Sequence, residues 1–386
     1  MKKPTLLYAS PFWPKKSGIS EYSEALIIGL IKYFDITLII DDYKIENKTI
    51  QESYKIIIYN QNENYGFYDY IIYNFGNNPY YHCYMYDMIL KYPGYVILHD
   101  FVLYYLTIGY YEERNKLFQK IYELEGIRGV QIVKASLKEN DTCDLLQHKK
   151  IASQLPMNRE VLEKAKGVFV HSAYTENLIN ENYKNINTHK IHLVKCETIK
   201  SDDNKFLHRY YKLDEASFII GAVGFIAETK QNELTCLAVK KYNESHVDKI
   251  HYVMIGEGNY VDHLLDPYIH KTGFFDNKEF FKAIYSCNLI MNLRYPYHGE
   301  SSATLIQCMD LEIPCVVTNI GWFSELPNEI VIKQPIDVTV DNLEKLICQF
   351  KDKNYMNITK KALEYVKNNC LPEIVGFNIY NYMINH

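Results

Sequence analysis

Residues 5–40 read TLLYASPFWPKKSGISEYSEALIIGLIKYFDITLII, and this stretch decides the fold. Residues 5–9 are an apolar run of strand length, and residues 20–34 repeat apolar side chains at helical spacing (Tyr22, Leu26, Ile27, Leu30). Residues 36–40 are β-rich again, which makes a β-α-β unit. Outward from it, short apolar strands follow at 55–59, 70–74 and 95–99, the last opened by the turn pair Pro93-Gly94. A helix over 157–166 leads into a strand at 167–170. The pattern then restarts: strands at 218–223, 250–255, 289–293 and 314–318 alternate with helices at 232–241, 278–286 and 301–311. Strands alternating with helices imply two α/β halves, each a doubly wound parallel sheet. The polar stretch 200–215 is the natural linker, with the boundary between residues 190 and 218.

A length of 386 residues fits two to three domains of about 150 residues each. With 47% hydrophobic and 23% charged residues, disorder and small disulfide-stapled scaffolds are excluded. The longest apolar candidate for a membrane span, 25–34, is cut by Gly29 and Lys32, so a soluble chain is expected. The apolar run after Met1-Lys2-Lys3 ends at Pro11 and Pro14 before any cleavage-like site, and a cytoplasmic location is expected. Nine cysteines without a C-x-x-C pair argue against a zinc cluster or an oxidised framework and read as buried thiols. A net charge of -5 offers no electrostatic footprint for nucleic acid. Only 5 of the 42 basic residues are Arg while Tyr reaches 36, a bias that drift in base composition explains as well as sugar-stacking tyrosines do.

In open α/β sheets ligands sit at the carboxyl ends of the strands. After the first strand, Gly18 precedes a helix and can bring backbone N–H groups to an anion or a sugar hydroxyl, or can serve as a plain turn residue. His99 ends a central strand, where its imidazole can bond a substrate or be held in the core. After the strand 218–223, Gly224 permits close backbone approach, and Lys230 offers a point charge to phosphate oxygens or to solvent. Gly256-Glu257-Gly258-Asn259 starts like a dinucleotide fingerprint but has Val261 in place of the third glycine, which leaves a nicotinamide dehydrogenase poorly supported. In Asn292-Leu293-Arg294-Tyr295-Pro296-Tyr297-His298-Gly299-Glu300-Ser301-Ser302, a strand end, a glycine, a carboxylate and two hydroxyl residues meet at a helix start. That suits a diphosphate cradle, and Ser301 or Ser302 can also cap the helix.

In order and spacing, Ser17-Gly18-Ile19-Ser20, Leu98-His99-Asp100, His171-Ser172-Ala173-Tyr174-Thr175, Lys230, Gly273-Phe274, Gly299-Glu300-Ser301-Ser302 and Gly321-Trp322-Phe323-Ser324-Glu325-Leu326-Pro327 resemble the retaining GT-B glycosyltransferases of glycosyltransferase family 4. The resemblance implies an acceptor-binding Rossmann-like domain over 1–195 and a nucleotide-sugar-binding one over 196–386, facing a cleft, with a final helix able to pack back on the first domain. It implies sugar transfer from a nucleotide-sugar donor with retention of configuration, in surface polysaccharide or glycoconjugate assembly. The acceptor is a glycan, a lipid-linked molecule or a protein. The location it implies is cytoplasmic, compatible with peripheral association at the inner membrane face. Lys230 matches the family's phosphate-binding lysine, Phe225 stands where an arginine is common, and Gly273-Phe274 match the loop that meets the base. Glu300 lies at the start of the E-x7-E motif, but aligning the following helix puts Gly299 opposite the first glutamate and Gln307 opposite the second. The implied roles are His99, Lys230 and Glu300 in catalysis, with Gly18, Gly224, Gly273, Phe274, Ser301, Ser302 and Gln307 around the donor. Lys230 and helix N–H groups would stabilise the departing diphosphate without a metal or other cofactor. A catalytically silent glycosyltransferase-like subunit, and an epimerase or hydrolase acting on nucleotide sugars, remain the competing readings because fold does not set reaction.

Overall fold

The computed structural model describes residues 2–112, 114, 116–140, 142–352 and 355–386. Its contacts divide the chain into two units: Met1–Val194 with His298–Ser301 and Pro372–His386, and Lys195–Tyr297 with Ser302–Leu371.

The first unit is built on strands β1 (Thr5–Ala9), β2 (Asp35–Ile40), β3 (Lys55–Ile58), β4 (Tyr70–Phe75), β5 (Tyr95–Leu98), β6 (Gly167–Val170) and β7 (Thr188–Lys190). They form one sheet in the order β3-β2-β1-β4-β5-β6-β7, every pair parallel. A parallel sheet is covered on both faces, so its strands are apolar without alternation. The four residues of β5 and the four of β6 are all buried. The helix Gly18–Leu30 starts where Ser17 accepts a hydrogen bond from the Ile19 N–H. The expected helix at 157–166 is shorter, Arg159–Lys164, because Met157 has a left-handed backbone (φ 53°) that a helix cannot include.

The helix Pro372–Asn385 belongs to this unit although it ends the chain. It crosses the helix Gly18–Leu30 at two glycines: a Cβ added to Gly29 would lie 1.8 Å from the Pro372 carbonyl oxygen, and one added to Gly376 would lie 2.7 Å from the Gly29 carbonyl carbon. Around that crossing Tyr380 stacks on Tyr33 (4.6 Å between ring centres) and meets Phe34 edge-on.

The second unit holds β8 (Phe218–Val223), β9 (Ile250–Ile255), β10 (Ile269–Lys271), β11 (Leu289–Asn292), β12 (Cys315–Thr318) and β13 (Ile332–Gln334) in the order β10-β9-β8-β11-β12-β13, again all parallel. The strand order reverses between β8 and β11, as it does between β1 and β4 in the first unit. Such a switch point opens a crevice at the carboxyl ends of the strands. Both sheets are thus Rossmann-like.

Among the described residues no helix is long and apolar enough to cross a membrane. The nine cysteines are free thiols, six of them buried; contrary to expectation, Cys83 and Cys348 are only half-buried and Cys143 is exposed.

Candidate active site

In the first unit, the segments that follow β1, β4, β5 and β6 meet around a cluster of imidazoles. His99 directly follows β5, and its Nε2 lies 3.3 Å from Asn74 Oδ1 on β4; an amide oxygen there selects the Nε2–H tautomer and makes Nδ1 an acceptor. Tyr22 meets His99 edge-on at 4.6 Å, and His171, which follows β6, lies 5.2 Å from His99 between ring centres. Burial is the main force on all three histidines here. It holds His99 well below the ordinary imidazole value, helped by His171 and His82, and pushes His171 down to about 4 and His82 down to about 3. At neutral pH His99 is therefore an uncharged hydrogen-bonding group.

Gly76, just past β4, sits inside this cluster. A Cβ there would come within 2.3 Å of Ile19 Cδ1 and 3.2 Å of His82 Nε2, so a larger residue would have to displace the Ile19 side chain from beside the histidines. Gly18 itself is exposed, and a Cβ on it would meet nothing within 4 Å. Next to His99, Asp100 accepts from the Asn77 N–H at 3.1 Å. Burial, then the Glu300 carboxylate, push the Asp100 carboxyl up to about 6. Glu300 accepts from the His298 N–H at 2.9 Å, and the Gly299 carbonyl accepts from Thr175 Oγ1 at 3.3 Å. Gly299 has φ 92°, and a Cβ there would press to 2.9 Å on the Phe101 Cβ. His99, Gly18, Glu300 and Ser301 thus belong to one unit. Glu300 is not on a helix: the expected helix 301–311 is Ala303–Asp310, capped by Ser302, so Glu300 and Gln307 do not share a helix face.

A pH dependence follows. Asp100 carries a folded value of about 6 against an ordinary 3.8, so the folded state holds this proton more tightly and loses that stabilisation as pH rises through 6. Asp100→Asn, which keeps an acceptor for Asn77, is expected to be nearly equal in stability to the unmutated protein at pH 3.5 and more stable by about 3 kcal/mol at pH 8. Denaturant midpoints of the two proteins across that range check it.

In the second unit, Lys230 Nζ donates to the Val223 carbonyl at 2.9 Å. A Cβ on Gly224 (φ 92°) would lie 2.7 Å from that nitrogen, so the glycine keeps room for the lysine. Gly256 and Gly258 have a role unrelated to a dinucleotide. Added Cβ atoms would stand 2.2 Å from the Gly224 carbonyl oxygen and 2.1 Å from that of Ile226, while Ile226 N–H donates to Glu257 O at 2.6 Å, so the glycines zip the loops after β8 and β9 together. Ser302 accepts from Leu305 N–H at 3.2 Å and from Asn292 Nδ2 at 3.0 Å, a cap anchored to β11. Gly273 (φ 75°) is followed by Phe274, 56% exposed. Gln307 is 3% exposed and donates Nε2 to the Glu197 carbonyl at 3.3 Å. One turn on, Asp310 pairs with Lys195 at 2.7 Å. Gln307 and Asp310 therefore strap residues 195–197 to the helix Ala303–Asp310.

Sequence reasoning gave His99 a role at the site, named His171 only within the motif 171–175, and did not reach His82. His171 carries the same signal as His99, a histidine ending a parallel strand. His82 lies on the helix Pro79–Lys91, which the periodicity did not single out.

The whole chain is similar to several solved structures. With sucrose-phosphate synthase from Thermosynechococcus elongatus it shares 13% of residues at a TM-score of 0.64, over 100% of this chain and 99% of that one. With HepE from Anabaena, in complex with UDP and glucose, it shares 13% at a TM-score of 0.64, over 99% of this chain and 100% of that one. With a glycosyltransferase from Rickettsia africae ESF-5 it shares 14% at a TM-score of 0.65, over 100% of both chains. No protein-family model matches the sequence, and no curated protein matches it. At such identities the likeness settles the architecture, and that architecture is the GT-B fold.

Proposed function

We propose that this chain is a retaining glycosyltransferase that moves a sugar from a nucleotide-sugar donor, held by the second unit, to an acceptor glycan, lipid-linked molecule or protein. The observation that carries the reading is the placement of Lys230 and the Ser302-capped helix after β8 and β11, the two strands at the switch point. A lysine and helix N–H groups there suit the diphosphate, on whose β-phosphate charge grows as the glycosidic bond breaks. The likeness to a structure containing UDP and glucose supports the same reading.

In this mechanism Lys230 and the N–H groups behind Ser302 stabilise the leaving diphosphate, with no metal required. Neutral His99 accepts or donates a hydrogen bond at the sugar or acceptor, and Glu300 orients donor hydroxyls. Gly273 and Phe274 meet the base, Gly224 keeps the phosphate approach open, and Gly18 and Ser301 offer hydrogen bonds to the donor. Departure and attack on the same face of the sugar give retention. A place in surface polysaccharide or glycoconjugate assembly, on the cytoplasmic side and peripheral to the membrane, fits such an acceptor range.

One observation favours a catalytically silent subunit as the second reading: the Gln307 side chain, expected at the donor ribose, is buried on the Glu197 carbonyl. Transfer assays over a panel of nucleotide sugars and acceptors, with and without a chelator, decide between the two. Lys230→Ala is expected to keep the fold and weaken nucleoside diphosphate binding by roughly tenfold or more, the usual loss for a charged hydrogen bond. Unchanged affinity in calorimetry removes the role of Lys230, and no transfer by the unmutated protein favours the silent subunit.

A further inference from the structure

We propose that His208, His251 and His270 form an acid-sensitive latch, which holds the helix Phe206–Tyr210 on the second sheet and releases it when the rings gain protons.

The sheet places two of the three rings. His251 lies on β9 and His270 on β10, and the register pairs His270 with Val253, two residues beyond His251, so both side chains stand on one face at the sheet edge. His251 Nδ1 and His270 Nε2 are 3.1 Å apart, one donating and the other accepting. The helix brings the rest of the cluster. Tyr211, the residue after it, stacks on His270 at 4.3 Å between ring centres. His208 is 3% exposed, and its Nε2–H donates to the Ser217 carbonyl at 3.0 Å, which leaves Nδ1 as the lone-pair nitrogen. Among the described residues, that Nδ1 and Tyr211 Oη are buried without a hydrogen-bond partner.

The cluster fits neutral rings. A proton added at His208 Nδ1 would find no acceptor, and protons on both His251 and His270 would set two N–H groups against each other. Burial is the main force on all three; it holds His208 and His270 below the ordinary imidazole value and pushes His251 down to about 4. His270 and His208 add to the effect at His251, and Lys205 and Arg209 add to it at His208. Two carboxylates oppose it, Glu215 at His208 and Asp266 at His251 and His270. Asp266 is already engaged, accepting from the Tyr268 and Ile269 N–H groups and lying 3.4 Å from Lys240. The nearby cations have partners too: Arg209 pairs with Asp203, Lys205 donates to the Glu215 carbonyl, and Lys282 on the helix Asn277–Tyr285 lies over the Phe206 ring. An opened segment takes up protons at the ordinary 6.5 and the closed one does not, so closure is at full strength above 6.5 and weakens as pH falls toward 4. Phe206 and Tyr210 also meet Phe275 edge-on, at 5.6 and 5.4 Å, so opening uncovers the loop that carries Gly273 and Phe274. In the proposed function that loop meets the base, but the latch does not rest on that reading.

The test is hydrogen exchange of the full-length protein at pH 7.5 and pH 5, corrected for the intrinsic pH dependence of exchange. Protection over residues 206–217 and 269–275 is expected to fall about tenfold or more at pH 5, while β12 keeps its own within about twofold. His251→Asn combined with His270→Gln puts neutral amides where the facing nitrogens stand, and is expected to hold the change below about threefold. Should the double variant not fold, exchange at the C2 position of each imidazole in the unmutated protein reads the titration directly, with His251 expected near 4. Equal protection at both pH values, a double variant that opens in acid as the unmutated chain does, or titration of His251 at the ordinary 6.5 would overturn the proposal. No nucleotide enters the experiment, so any of these results leaves the donor reading standing.

Discussion

Glu300→Gln is expected to slow sugar transfer by about 100-fold or more while changing donor affinity less than about threefold. Glutamine keeps an oxygen to accept from the His298 N–H, the contact that shapes the loop around Gly299, so the substitution removes charge and little else. If Glu300 orients donor hydroxyls, its loss is felt where positioning counts, in the barrier rather than in the ground state. A second readout separates this from a folding defect. Glu300 is one of the causes that raise Asp100, so the variant should show a smaller stability difference between pH 5 and pH 8 than the unmutated protein. Steady-state kinetics with a cognate donor, alongside donor calorimetry, measure both parts. Transfer at the unmutated rate would remove Glu300 from the mechanism.

Gly29→Ala is expected to destabilise the first unit by about 2–3 kcal/mol, although alanine is the better helix former by about 1 kcal/mol. The added methyl would stand 1.8 Å from the Pro372 carbonyl oxygen, a backbone atom at the start of the last helix, so the two helices must move apart. That movement strains the Tyr380 contacts with Tyr33 and Phe34 and the bond from Tyr95 Oη to the Met383 carbonyl. Denaturant unfolding measures the loss, and limited proteolysis should release the segment after Leu371 from the variant before it does so from the unmutated chain. An alanine variant as stable and as resistant as the unmutated protein would mean that the crossing tolerates a methyl group.

Much of this architecture is legible in local pattern. The strands expected at 5–9, 167–170, 218–223 and 250–255 match the observed ones to the residue, because a buried parallel strand is an uninterrupted apolar run bounded by polar or turn residues. Helix ends are less legible. The positive φ of Met157 shortens one helix, and the Ser302 cap starts another after Glu300, since backbone conformation at one residue leaves no periodic trace. At the site, the strand-end rule pointed to His99, Lys230 and the 299–302 segment. It could not reveal that Gln307 holds the Glu197 carbonyl, because the partner is a backbone atom 110 residues away.

Two doubly wound parallel sheets and the residues at their strand ends are readable from local pattern alone, because apolar periodicity and turn chemistry act over a few neighbouring positions. Features that depend on contacts between distant segments emerge only once the chain is folded. The three short strands that close sheet edges, Thr188–Lys190, Ile269–Lys271 and Ile332–Gln334, carry lysine or histidine and show no strand pattern of their own; pairing with a neighbour makes them strands. His82, His99 and His171 come from three segments, and the neighbours that meet there, not their local sequence, strip the water from each ring and keep it neutral. The glycines at 29, 76, 256, 258 and 376 look alike in sequence, and each owes its place to another segment's atoms lying where a Cβ would be.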